Sequence, residues 1–248
     1  MKPLFYSLLL LALATTYAQD TIAPARSFPV AARSQLFSLS PMSKRTAEVN
    51  GLTFGVGHVG NKSIDSQTIN GLNVEANPAP IAAALMAFVA IMHLPDIIKA
   101  QTSGRQPGTH EDYYVVNDMK SASHLKVNGL NVSTGCFFTR TSMSGLNISL
   151  GNKFKYFNGV SLTALGTIAD QQKGVSIGLA NTNNNLGGAS IGVYNQSHDL
   201  NGLHLGVLNN AKNSHGLQIG LVNICKGKGF QMGLWNVNGK RKMPFLNW

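Results

Sequence analysis

From Asn50 onward, apolar and polar positions alternate in short bursts that restart at a nearly constant spacing. The bursts read NGLTFGVG from Asn50, NGLNVEAN from Asn70, NGLNVSTG from Asn128, SGLNISLGN from Ser144 and NGVSLTALG from Asn158. They continue as KGVSIGLAN from Lys173, GGASIGVYN from Gly187, NGLHLGVLN from Asn201, HGLQIGLVN from His215 and KGFQMGLWN from Lys228. Within one burst Leu217, Ile219 and Leu221 alternate with Gln218 and Gly220, a period of two that predicts a strand with its apolar side buried. The residues that follow, such as Thr182 to Leu186 or Ala211 to His215, are mostly polar or small and predict a turn. An Asn-Gly pair opens five of the bursts, and that dipeptide readily supplies a positive φ at a corner.

The leading glycines from Gly145 onward are separated by 14, 15, 14, 14, 14 and 13 residues. Self-similarity at a fixed short period marks a repeat architecture. One copy cannot fold alone. Its three apolar side chains offer roughly 5–9 kcal/mol on burial, while ordering about 14 residues of backbone costs roughly 14–28 kcal/mol. The copies must therefore stack.

An all-β, parallel solenoid with rungs of about 14 residues explains the pattern best, because equivalent residues then lie above one another. It accounts for leading glycines Gly174, Gly188, Gly202, Gly216 and Gly229, and for Gly178, Gly192, Gly206, Gly220 and Gly233 at the fifth position. It also predicts an amide ladder of Asn152, Asn181, Asn195, Asn209, Asn223 and Asn236 at the eighth. These positions are structural, and no catalytic, cofactor or metal-binding residue is assigned. The alternative is an antiparallel outer-membrane β-barrel, with positions two, four and six facing lipid and the Gly, Ser, Gln and His positions facing a lumen. Against it, eight residues is short for a spanning strand of about 9–11.

The rhythm breaks between Gly71 and Gly129. An insert at about 76–125 holds the apolar run Ile81 to Leu94, bracketed by Pro78, Pro80 and Pro95. As a helix it would span about 21 Å, suited to covering the end or side of the repeat sheet, or to binding a membrane or partner. Residues 101 to 118 predict a polar loop. Residues 19–49 show no sustained period and predict an irregular lead-in, so the β-repeat domain is expected over 50–248.

Residues 1–18 have the layout of a signal peptide: Lys2, an apolar stretch from Leu4 to Ala14, and Thr16-Tyr17-Ala18 at the cleavage point. Export, with a mature start at Gln19, is the expectation. The 248 residues are 44% hydrophobic and only 12% charged, with 26 glycines and a net charge of +10. That excludes a disordered chain, a collagen and a long coiled coil. Lys212, Lys226, Lys228, Lys240, Arg241 and Lys242 face no acid after residue 200, a field that suits a membrane surface or anionic envelope polymers. Nucleic acid is not expected, because the bases are not interleaved with aromatics. Cys136 and Cys225 match no metal or redox spacing. In a parallel stack they stand six rungs, or about 29 Å, apart, too far for a disulfide.

Other motifs reduce to structure. Gly55-Val56-Gly57-His58-Val59-Gly60 fits G-x-G-x-x-G, and Gly60-Asn61-Lys62-Ser63 echoes a phosphate loop. Both need a helix to follow, and the next periodic element is another repeat strand. His110-Glu111-Asp112 lacks ligand partners at metal-site spacing. His198, His204 and His215 fall at different repeat positions, and no acidic pair has acid–base spacing. No enzymatic activity is expected.

The units GLHLGVLN, GLQIGLVN and GFQMGLWNVNGKRKMPFLNW resemble those of exported bacterial surface-repeat proteins. That group combines a signal peptide, tandem GLQIGL-N units and a closing segment like KRKLPFINW, from which this chain departs at Met243. The resemblance covers roughly residues 50–75 and 126–248 and implies a cell-surface or outer-membrane location, with no established activity. The expected function is that of a cell-envelope β-repeat protein with a structural or binding role, or alternatively of a barrel with a pore or transport role.

Overall fold

The computed structural model describes residues 33–58, 66–78, 81, 124–135, 140–227, 229–239 and 241–248. Every complete element among them is a strand. In order they are β1 (Arg33–Ser40), β2 (Thr46–Gly55), β3 (Ser66–Glu75), β4 (His124–Ser133), β5 (Arg140–Ile177) and β6 (Ala180–Leu186). They are followed by β7 (Ala189–Leu200), β8 (Leu203–Ser214), β9 (Leu217–Cys225), β10 (Phe230–Asn238) and β11 (Arg241–Asn247).

The eleven strands pair in sequence order, and every pairing from β1 to β10 is parallel. Gly192 pairs with Gly206, and Gly206 with Gly220, so one coil lies on the next at a step of one repeat. The fold is a parallel β-solenoid with rungs of about 14 residues. The barrel alternative is excluded, because a barrel of short turns requires antiparallel neighbours and here β1 and β11 do not pair to close the sheet. The register also survives the insert: Gly71 lies on Gly129 and Leu72 on Leu130 across the 48 residues from 76 to 123. The apolar run Ile81 to Leu94 and the loop at 101–118 lie outside the described residues, apart from Ile81 itself.

Two expectations are corrected here. The stretch 19–49 was expected to be irregular, yet β1 and the start of β2 fall inside it, and Phe37 and Leu39 of β1 lie on Leu52 and Phe54 of β2. The first coil thus carries the repeat's alternation without its glycine. More consequentially, the apolar side of each burst, from the second to the sixth position, points outward. In the burst of β8 His204 is buried, while Leu205 and Val207 are exposed; in that of β9 Gln218 is buried, while Leu221 is exposed.

The physical reason lies in the pairing of the eighth position with the fifth. Asn181 Nδ2 donates to Asn195 Oδ1 at 3.1 Å, Asn195 to Asn209 at 2.9 Å, Asn209 to Asn223 at 2.8 Å and Asn223 to Asn236 at 2.8 Å. The same nitrogens reach across the coil to the carbonyls of Ile191, Leu205, Ile219 and Met232 at 2.9–3.0 Å. That reach needs an empty fifth position. A Cβ on Gly206, Gly220 or Gly233 would stand 2.6, 2.5 or 2.6 Å from the amide nitrogen of Asn195, Asn209 or Asn223. With the glycine forced inward, strand parity turns the third position inward too and turns the second, fourth and sixth out. Asn152 departs from this column. It donates to Asn147 Oδ1 at 2.7 Å and Ser149 Oγ at 2.9 Å, and the backbone N–H of Thr167 donates to Asn181 Oδ1 at 3.3 Å.

What fills the interior changes along the stack. One cluster holds Met42, Val49, Ile69, Leu125, Val127, Met143, Phe154, Phe157 and Ala169, with the two phenylalanine rings stacked at 5.1 Å. A smaller one holds Leu186, Leu200, Ala211 and Cys225.

The end of the chain reverses direction. Gly239, at φ 60°, lets β11 fold back antiparallel on β10. Pro244 carries no backbone donor and Lys242 adds an exposed charge, two features of β11 that discourage further strand addition. Asn247 is fully buried and donates to the carbonyls of Asn236 and Arg241 at 3.3 Å, closing the interior.

Candidate functional site

The outward parity leaves the molecule with one long apolar face. The second position contributes Phe37, Leu52, Leu72, Leu130 and Leu146, and the column extends through Leu203 and Leu217 to Phe230. The fourth contributes Leu39, Phe54, Val74, Val132 and Ile148, then Ile177, Ile191, Leu205, Ile219 and Met232, and Leu246 of β11 extends it. The sixth adds Leu179, Val193, Val207, Leu221 and Leu234, which are 40–61% exposed. Among the described residues no charged side chain interrupts the three columns.

The leading glycines form the corner beside this face. Gly174 has φ 130°, and a Cβ on Gly188 or Gly202 would strike the carbonyl of the glycine one rung earlier. Within the face, Ile177, Leu179, Ile191, Val193 and Leu205 rise on either side of Gly178, Gly192 and Gly206. They enclose an open groove of about 510 Å³ that crosses successive rungs along the stack. The next face of each coil is polar outside, with Gln196 and His198 in β7 and Asn210 and Lys212 in β8.

Two polar clusters lie inside. Near the first rungs Glu75 occupies a fifth position and accepts from Ser40 Oγ at 3.2 Å, while His58 Nε2 lies 2.6 Å from the same oxygen, Oε1. The empty fifth position at Gly55, between Ser40 and Glu75 in the stack, leaves room for that contact. His58 Nε2 also stands 3.4 Å from Asn73 Oδ1. The three residue types suggest hydrolytic chemistry, but the wiring does not support it. The carboxylate is the hub, Ser40 bonds to it rather than to the imidazole, and the His58 and Glu75 side chains are each only 2% exposed. This is a buried clamp between rungs. Sequence spacing hides it, because residues 40, 58 and 75 meet only once the coil is wound.

The second cluster is His204, whose Nε2 lies 2.8 Å from Ser197 Oγ while its Nδ1 has no partner. Burial pushes its pKa down to about 4, so the ring is neutral at physiological pH. Of the other two histidines in this region, His215 lines a cavity of about 650 Å³ near the C-terminal end with Asp199, Asn213, Phe230 and Trp248. His198 Nδ1 lies 2.9 Å from Asp199 Oδ2. Asn213 donates to Asp199 at 2.8 Å and, as the main cause, holds that carboxyl below its usual pKa.

Among the described residues no cluster of His, Cys, Asp or Glu could hold a metal ion. Lys62, His110, Glu111, Asp112 and Cys136 lie outside the described residues. Cys225 is a buried free thiol, its pKa raised by burial. No protein-family model matches the chain, and no curated protein or solved structure is detectably similar to it.

Proposed function

We propose that the protein is an exported, non-enzymatic β-solenoid of the cell envelope that works as a binding or structural surface. The carrying observation is the continuous apolar outer face, since soluble monomers rarely expose contiguous apolar patches larger than a few hundred Å². The signal-like residues 1–18 and the resemblance of the GLQIGL-N units to exported surface-repeat proteins support the location. The two buried histidine clusters support a role without catalysis, because neither presents a nucleophile beside a base in a place a substrate could reach. An anionic envelope surface fits the positive charge.

Cell fractionation with N-terminal sequencing tests this reading. The protein is expected in the envelope fraction with Gln19 as its first residue. An unprocessed chain confined to the cytosol would overturn it.

A further inference from the structure

We propose that the apolar face is a lipid-binding face, which seats the solenoid lengthwise on an anionic bilayer and leaves its polar face in water. This deepens the envelope reading and rests on it for the cellular setting. Three observations point to lipid.

The first is the shape of the face. Eleven inter-rung steps between β1 and β11, at about 4.8 Å each, make it about 53 Å long, and four residue steps from position two to position six make it about 13 Å wide. The strip is thus about four times as long as it is wide. A second copy would meet it poorly. Sheets packed face to face cross at about 30°, so two such narrow strips would overlap over only about half their area. A bilayer imposes no such match.

The second is charge. Residues 119–248 carry 12 Lys and Arg against two acids, Asp170 and Asp199; none of those among the described residues lies in the three apolar columns, and Lys212 stands on the polar face. Lys173 stands exposed at the corner beside the face, next to Gly174.

The third is the composition of the C-terminal end. There Phe230, Leu234, Trp235, Phe245, Leu246 and Trp248 are all exposed. The Arg241 guanidinium sits over the Trp248 ring at 4.3 Å, next to exposed Lys242. Aromatic rings paired with cations suit the headgroup layer, where one end is apolar and the other wet. The groove floored by Gly178, Gly192 and Gly206 runs along the stack axis, so a hydrocarbon chain can lie in it lengthwise.

The test is flotation of the purified protein with vesicles of phosphatidylcholine alone or of phosphatidylcholine mixed with phosphatidylglycerol. The protein is expected to float with the mixed vesicles at low salt. Val193→Glu with Val207→Glu, two positions already in solvent, should weaken binding at least about tenfold. Gln196→Glu on the polar face should not change it, and circular dichroism checks that each variant folds. Arg241→Gln with Lys242→Gln should weaken binding by about fivefold per charge and flatten its salt dependence. The proposal is overturned if the protein floats with neither vesicle, or if V193E/V207E floats as the parent does. It is also overturned if sedimentation equilibrium reveals a dimer that this pair of substitutions breaks, which would assign the face to a second copy. Because the vesicles are synthetic, flotation can fail while the envelope location stands, and the reverse.

Discussion

The two halves of the stack fill one continuous interior with different chemistry. In the column just before the corner, the N-terminal half places Val49, Ile69, Val127, Met143 and Phe157, and the C-terminal half continues it with Gln172, Leu186, Leu200 and Ser214. Both halves also bury amides. Asn73 donates to Asn131 at 2.8 Å and Asn131 to Asn147 at 2.7 Å near the third position, whereas the C-terminal ladder runs from Asn181 to Asn236 at the eighth. A lone buried amide costs stability, but an in-register stack supplies each one with a donor below and an acceptor above. The N-terminal half therefore rests more on hydrophobic burial, and the C-terminal half more on identity between successive rungs. Tolerance to substitution should differ accordingly.

The largest expected effect is in the apolar half. Phe157→Ala removes a fully buried ring stacked on Phe154 and should cost about 3–5 kcal/mol, read from the denaturant midpoint. Amide hydrogen exchange should quicken around Met143 to Phe157 and leave the rungs of Asn209 and Asn223 unchanged. Uniform quickening would mean that the halves unfold as one unit.

Acid probes the polar half. The folded pKa of His204, about 4, lies below its ordinary 6.5. The unfolded chain therefore takes up a proton as pH falls through 6.5, and the folded chain does not until about 4. The stability this group contributes is complete above pH 6.5, and about 3 kcal/mol is lost by pH 4. His204→Gln places in that column the residue already present at positions 218 and 231, and should remove this part of the acid dependence. Parallel melting-temperature profiles for the two proteins between pH 4 and 7 would refute the account.

Asn209→Ala should cost about 2–3 kcal/mol, because it strips donors from Asn223 Oδ1 and the Ile219 carbonyl. The loss should appear as faster exchange in the rungs on both sides. A change confined to residue 209 would show that the ladder adds little. The smallest effect belongs to the solvent-exposed corner ladder, where Asn70 donates to Asn50 at 2.7 Å and Asn128 donates to Asn70 at 2.8 Å. Asn70→Ala should cost only about 0.5–1 kcal/mol, so a larger loss would raise the corner amides to the rank of the buried ones.

The repeat period and the parallel stacking were legible in the chain, because the glycine steps leave few other ways to close a 14-residue unit. Which side faces in was not. Alternation defines two sides of a strand, and hydrophobicity alone assigns Leu217, Ile219 and Leu221 to the interior. The decisive signal is the spacing of Gly220 from Asn223, which is steric and electrostatic rather than hydrophobic. β1 escaped notice because RSQLFSLS lacks the corner glycine. The Ser40–Glu75–His58 clamp escaped because its members belong to different coils. The antiparallel return of β11 is signalled only by Gly239 and Pro244, which mark a turn but not the direction of the strand after it.

The unbroken register between β3 and β4 has a consequence for how such a chain can change. Glu75 and His124 leave and re-enter the stack in ladder with their neighbours, whatever lies between them. That junction is a permissive port. Foreign sequence spliced there could be lengthened, shortened or exchanged as cargo, while the coils on either side went on being built from the same template.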